Sequence, residues 1–128
     1  MRIEHIAIWT SDLERMRKFY QAYFKMKCSN KYENVIKGFS SYFLSFERGA
    51  RIEIMTRKDI YKGSDEKGLV NGLAHLAISV GNKEAVEKLT ERLRLDGFEI
   101  FGDPRKTGDG YYESIILDPE GNHIEITE

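Results

Sequence analysis

The sequence predicts an α+β fold made of two paired βαβββ modules, their strands forming a curved, cup-shaped mixed sheet with the helices outside. Three observations predict it. The run His5-Ile6-Ala7-Ile8 recurs as His75-Leu76-Ala77-Ile78, an offset of 70 residues. The run Ile52-Glu53-Ile54 recurs as Ile124-Glu125-Ile126, an offset of 72. Between these runs each half places one amphipathic helical pattern and then alternating, strand-like segments. Recurrence of a supersecondary unit at a fixed spacing is the signature of internal duplication. Aligning residues 5–19 with 75–89 gives five identities, and aligning 38–56 with 110–128 gives five more, among them both glutamates and the turn glycines Gly49 and Gly121.

The elements follow in order. Residues 2–9 alternate and are rich in β-formers, which predicts a strand. Ser11, with Glu14 three residues on, has the form of a capping box. Leu13, Met16, Phe19, Tyr20, Tyr23 and Phe24 then recur at helical spacing, so a helix with one apolar face is expected from Asp12 to Met26. Residues 30–37 give a weak strand pattern. Phe39 to Phe46 and Arg51 to Met55 give stronger ones, joined by the turn Glu47-Arg48-Gly49-Ala50. In the second half, residues 73–80 are expected as a strand and Asn82 as the N-cap of a helix that turns Val86, Leu89 and Leu93 inward. Gly97 is expected to end that helix, because glycine takes the left-handed C′ conformation without steric cost. Strands are expected over Phe98 to Phe101, Tyr111 to Leu117 and His123 to Thr127. Asp118-Pro119-Glu120-Gly121 suits a type I turn.

The 128 residues suit one domain, with a module over 1–56, a polar connector over 57–72 and a second module over 73–128. With 20 basic and 21 acidic residues the net charge is −1, so no basic face points to nucleic acid or an anionic membrane. No apolar run reaches the length of a membrane span, and no leader pattern opens the chain. The lone Cys28 cannot form an internal disulfide, which fits a reducing cytoplasm. Its expected role is that of a small buried hydrophobe.

Strand alternation assigns faces. His5, Ala7 and Trp9 oppose Ile6 and Ile8, and Arg51, Glu53 and Met55 oppose Ile52 and Ile54. The second half repeats this, with His75 and Ala77 against Leu76 and Ile78, and His123, Glu125 and Thr127 against Ile124 and Ile126. The aliphatic faces need the helices as cover. The other faces carry His and Glu among small or polar residues, as a lined cavity would. A strand His or Glu taken singly is usually a surface residue, but solvation gives no reason for both to recur at matched positions. Imidazole nitrogens with carboxylate oxygens suit borderline divalent ions. His5, Glu53, His75 and Glu125 are therefore the expected ligands of one ion, with Glu125 and Glu53 as candidates for moving a proton. His123 shares a face with Glu125, but its repeat partner is Arg51, so symmetry does not mark it.

These motifs, with Asp12-Leu13 followed by Phe19-Tyr20 and with Asp118-Pro119-Glu120-Gly121-Asn122, resemble the vicinal oxygen chelate superfamily, which includes glyoxalases, bleomycin resistance proteins and dioxygenases. The resemblance covers essentially the whole chain. It implies one metal held by the first and last strands of paired modules. The His, Glu, His, Glu order resembles bacterial glyoxalase I, an enzyme of the lactoylglutathione lyase type. That implies a nickel, cobalt or zinc ion, a thiohemiacetal or other small α-hydroxycarbonyl substrate rearranged through an enediolate, and a homodimer. Related proteins include metal-free resistance proteins that bind small molecules, epimerases, and thiol transferases or dioxygenases whose metal needs no counterpart of Glu53. Bacterial glyoxalase I typically has arginine and asparagine, both contacting glutathione, where this chain has Trp9 and Arg57. Trp9, Arg51, Met55, Arg57, Tyr111 and Tyr112 are the candidate substrate contacts, with alternation turning only one of the two tyrosines inward. Phe19, Tyr23 and Phe24 are the aromatics expected to support a dimer.

Overall fold

The computed structural model describes residues 1–61, 63 and 66–128. Lys62, Ser64 and Asp65, all in the expected connector, lie outside the described residues. The chain divides into two compact units, Met1–Gly63 and Ser64–Glu128. Among the described residues there are two helices and nine strands, in one mixed sheet per unit. Neither helix is long and apolar enough to cross a membrane.

The first unit runs β1 (His5–Trp9), α1 (Leu13–Phe24), β2 (Lys27–Cys28), β3 (Tyr32–Asn34), β4 (Phe39–Ser45) and β5 (Arg51–Arg57). Its sheet order is β1-β5-β4-β2, with β3 paired to β4. The first and last strands are parallel neighbours, which sets Ala7 opposite Glu53 and His5 opposite Arg51. The β1 ladder starts at His5 and not at residue 2, because its partner strand begins at Arg51, whose N–H donates to the Glu4 carbonyl. The weak strand expected over 30–37 is observed as the short β3, and the unexpected β2 precedes it, so this module carries one short strand more than the βαβββ pattern.

Helix α1 is capped by Asp12 and not by Ser11: the Asp12 carboxylate accepts from the Arg15 N–H at 2.9 Å. The helix stops at Phe24, two residues early, where Lys25 turns into the left-handed region at φ 54°. Leu13, Met16, Phe19, Tyr20 and Phe24 are buried. Each such side chain contributes on the order of 1.5–3 kcal/mol by leaving water. Phe19 and Phe24 are 3% and 7% exposed and pack on Tyr20, so they belong to the core of this chain and offer no dimer surface. Tyr42, on the helix-facing side of β4, donates its hydroxyl to Glu14 of α1 at 2.7 Å.

The second unit runs β6 (Leu76–Ser79), α2 (Lys83–Leu95), β7 (Ile100–Lys106), β8 (Tyr112–Leu117) and β9 (His123–Thr127), with sheet order β6-β9-β8-β7. Here too the first and last strands are parallel, with Ala77 opposite Glu125. His75 abuts the start of β6. Asn82 caps α2 through the Ala85 N–H, and Gly97 at φ +85° ends it as expected. Val86, Thr90 and Leu93 are the buried positions, so Thr90 takes the inward place expected of Leu89. The Thr90 hydroxyl is satisfied by the Val86 carbonyl at 2.7 Å and by Ser114 of β8 at 2.6 Å. β7 continues well past Phe101, through Pro104, because it is an edge strand with two register shifts, where a missing N–H costs little. Asp118 holds the expected turn, accepting from the Glu120 and Asn122 backbone N–H groups and from the Asn122 amide.

Candidate functional site

Each unit turns its aliphatic strand residues toward its helix. Ile52 and Ile54 in one, and Ile78, Ile124 and Ile126 in the other, are buried. Pairing then fixes what the opposite faces carry. In the first unit the open face holds His5, Ala7 and Trp9 of β1, Glu53, Met55 and Arg57 of β5, and Phe39 and Phe43 of β4.

The structure brings the four expected ligands together as two pairs. His5 Nε2 lies 3.7 Å from Glu53 Oε2, and His75 Nε2 lies 3.5 Å from Glu125 Oε2. Among the described residues no three His, Cys, Asp or Glu side chains group closely enough to hold an ion. Zinc bonds of about 2.1 Å to nitrogen and oxygen put tetrahedral neighbours about 3.4 Å apart and octahedral ones about 3.0 Å apart. Both pairs are within a few tenths of an ångström of the wider value. Each pair thus fits as one nitrogen and one oxygen ligand after a small side-chain rotation. The carboxylates are shielded, at 15% and 16% exposure, while the imidazoles are 38% and 43% exposed.

The surroundings of the two pairs differ. His5 Nδ1 bonds to the Glu4 carboxylate, which also pairs with Arg51. These contacts, that of His5 first, hold the Glu4 carboxyl below its ordinary value. A carboxylate on one ring nitrogen orients the imidazole and leaves the other nitrogen free to bind. The position equivalent to Glu4 is Ala74. On the other side, Glu125 has a neighbour that sequence reasoning missed. Glu113 of β8 is 8% exposed, on the same face as Glu125, and 3.2 Å from Arg105. Burial, and after it the charge of Glu125, push the Glu113 carboxyl above its ordinary range. Its repeat equivalent is Ser41, so the duplication carried no signal for it. Alternation from Glu125 across the β8–β9 pair would have found it.

The candidate substrate contacts separate by face. Trp9, Met55 and Arg57 share the face of His5 and Glu53, with the Arg57 guanidinium 5.4 Å from the Trp9 ring centroid and bonded to Asp59. Arg51 lies 4.1 Å over Phe43. Tyr112 points to the helix side: its hydroxyl donates to Glu87 of α2 at 2.9 Å and Lys83 covers its ring. Tyr111 is 56% exposed just before β8. His123 packs on Phe101 at 4.3 Å between centroids, and a Cβ on Gly68 would stand 2.7 Å from its Nδ1, so close packing accounts for it. Cys28 is partly buried, which raises its thiol and leaves it a poor nucleophile.

The family model described as the Glyoxalase/Bleomycin resistance protein/Dioxygenase superfamily matches residues 2–126. The chain belongs to this superfamily. Among superfamily relatives it is 27% identical to an uncharacterized Bacillus subtilis protein, YqjT, over 97% of this chain and 96% of that one. It is also 27% identical to the lactoylglutathione lyase GLX1 of Arabidopsis thaliana, over 99% of this chain but 44% of that protein. The crystal structure of glyoxalase I from Zea mays superposes with a TM-score of 0.79 at 25% identity, over 98% of this chain and 44% of that one. The chain therefore spans less than half the length of these plant proteins. A superfamily domain from Frankia superposes with a TM-score of 0.83 at 16% identity, a likeness of fold alone.

Proposed function

We propose that this chain is a divalent-metal-dependent, glyoxalase I-like lyase or isomerase acting on a small α-hydroxycarbonyl or thiohemiacetal, with residues 1–128 working as one two-module domain. The observation that carries the proposal is the matched pair of His–Glu contacts, 3.7 Å and 3.5 Å, on equivalent strands of two separate units. Half-exposed ion pairs contribute about 1 kcal/mol or less to stability, so folding alone gives little reason to keep both. His5, Glu53, His75 and Glu125 would hold one nickel, cobalt or zinc ion. When bound, such an ion supplies Lewis acidity toward two neighbouring substrate oxygens.

The proton work falls to the carboxylates. Glu125 or Glu53 would take the proton from the carbon beside the carbonyl and return it to the adjacent carbon, while the hydroxyl proton passes to the other oxygen. Bonds and charges then balance with no further reactant. Glu125, beside the buried Glu113, and Glu53, beside Ser41, are not equivalent, so one is the better base. A homodimer in the cytoplasm is part of the proposal, with the four ligands drawn from one chain or from two. Mixing His5→Ala and His75→Ala chains distinguishes these: a verified heterodimer regains one intact site only if ligands are shared between chains.

The test is direct. Untagged protein is loaded with nickel or zinc, its stoichiometry is measured, and it is assayed with methylglyoxal plus glutathione and plus other small thiols. Stoichiometric metal with turnover abolished by Glu125→Gln or Glu53→Gln supports the proposal. A wild type that takes up no stoichiometric metal sinks it, and favours the second reading, a metal-free binding protein. That reading is supported by the rings of Trp9 and Phe39 on the face of His5 and Glu53.

A further inference from the structure

The face that carries His5 and Glu53 continues into a set of aromatic rings that the metal chemistry leaves unused. Trp9 meets Phe39 edge-on, with centroids 6.2 Å apart and planes at 88°. Phe39 meets Tyr32 at 6.0 Å and 60°. These rings come from β1, β4 and β3, so they span the sheet across Met55 of β5. Trp9 is 38% exposed and Tyr32 57% exposed. Trp9 and Tyr32, buttressed by the half-buried Phe39, leave ring surface open on which a flat apolar group can pack.

Its position bears on what it binds. Trp9 is four residues along β1 from His5, or about 13 Å at the rise of a strand. Phe43 lies opposite Glu53 and packs edge-on against His5 at 5.4 Å, so aromatic surface runs from the candidate metal end to the Trp9 end. The charges on this face are already matched. Arg57 bonds to Asp59 while lying over Trp9, and Arg51 bonds to Glu4 while lying over Phe43. An anionic tail would have to displace a carboxylate of the chain itself to reach either arginine. A neutral ring would stack on Trp9 and Phe39 with no such loss, and gain the area burial and ring contact that aromatic pairs supply.

We propose that Trp9, Phe39 and Tyr32 form a subsite for a neutral aryl group on the molecule that binds at the His5–Glu53 end. The substrate class is thus an aryl-bearing compound with two neighbouring oxygens at its other end, not a thiol with a carboxylate-rich tail. This inference rests on the metal reading for the oxygen end and on the aromatic face for the rest.

The experiment separates the two. Acetohydroxamic acid and 4-phenylbutyrohydroxamic acid share the same two-oxygen chelating end and differ in the aryl tail. Their affinities for the nickel-loaded protein are measured by calorimetry. Trp9 is the single tryptophan of the chain, so its fluorescence reports directly on the subsite. The expected result is at least about tenfold tighter binding of the aryl compound with a shift in Trp9 emission, the preference being lost in Trp9→Ala and in Phe39→Ala. Equal affinities for the two compounds overturn the subsite and leave the metal reading intact. If the protein takes up no metal, the metal reading has failed, and 4-phenylbutan-1-ol titrated against Trp9 emission decides the subsite: a saturable shift supports it and none overturns it. Trp9 shielded from acrylamide in the free protein, because a second copy covers it, also overturns it.

Discussion

His75 Nε2 lies 3.5 Å from Glu125 Oε2, a contact longer than an ordinary hydrogen bond. The equivalent contact in the first unit, His5 to Glu53, is 3.7 Å. In both, a nitrogen and an oxygen point at shared space without satisfying each other. That arrangement is what the proposed metal reading requires of each pair.

Matched geometry predicts matched losses. Glu53→Gln and Glu125→Gln are each expected to lower nickel affinity at least about 100-fold, more than changes beyond the direct ligands typically cost, with little change in melting temperature. Competition against a chelating dye measures the first and a thermal melt the second. Loss of affinity in Glu125→Gln alone would reduce the site to a His5, His75, Glu125 set and point to the thiol transferase or dioxygenase type.

Glu4 is expected to act through His5. Glu4→Ala frees the imidazole to rotate and is predicted to weaken metal binding about tenfold, whereas Glu4→Gln, which keeps an acceptor for Nδ1–H, is predicted to restore most of it. The second unit has Ala74 at this position, so Ala74→Ser should change affinity little. Equal effects of the two Glu4 variants would mean that charge, not orientation, is what Glu4 supplies.

Much of this was legible because the duplication wrote it twice. The matched His and Glu positions and the faces carrying Trp9 and Met55 follow from period-two alternation in a repeated unit. What stayed hidden lacked a repeat partner or depended on three-dimensional pairing. Glu113 answers to Ser41 and Glu4 to Ala74, so symmetry was silent on both. Arg57 reads from sequence as a candidate substrate contact, and only the fold shows its bond to Asp59. Alternation allowed only one of Tyr111 and Tyr112 to face inward, and the bond to Glu87 of α2 shows that Tyr112 is the other one. Phe19 and Phe24 read as dimer aromatics because helical spacing gives an apolar stripe without saying what covers it.

Gly68 is predicted to be intolerant of any side chain. It sits at φ +80°, and a Cβ there would meet His123 Nδ1 at 2.7 Å and the Ala74 carbonyl oxygen at 2.8 Å. The carbonyl belongs to the backbone just before His75, so it cannot move without carrying that proposed ligand with it. Gly68→Ala is expected to cost about 1–3 kcal/mol, read by urea unfolding, and to weaken metal binding as well. Unchanged affinity with lowered stability would show that the strain is relieved on the His123 side.

The last prediction concerns acid stability and lies on the helix side of the first unit. The Tyr42 hydroxyl, and after it Arg17, hold the Glu14 carboxyl below its ordinary value of 4.5. A carboxyl depressed by folding binds fewer protons in the native state than in the unfolded one, so it stabilises above the unfolded value and that gain is lost as pH falls through the folded value. Tyr42→Phe removes the larger cause. With the pair partly open to solvent, the variant is expected to be less stable at pH 7 by about 0.5 kcal/mol. The gap between wild type and variant should hold from pH 7 down to about 5, then narrow as both chains protonate Glu14. Urea unfolding at a series of pH values measures it. A gap that stays constant to pH 3 would show that Tyr42 stabilises by packing on Arg17, whose guanidinium lies 5.6 Å from its ring, and that the bond to Glu14 contributes nothing.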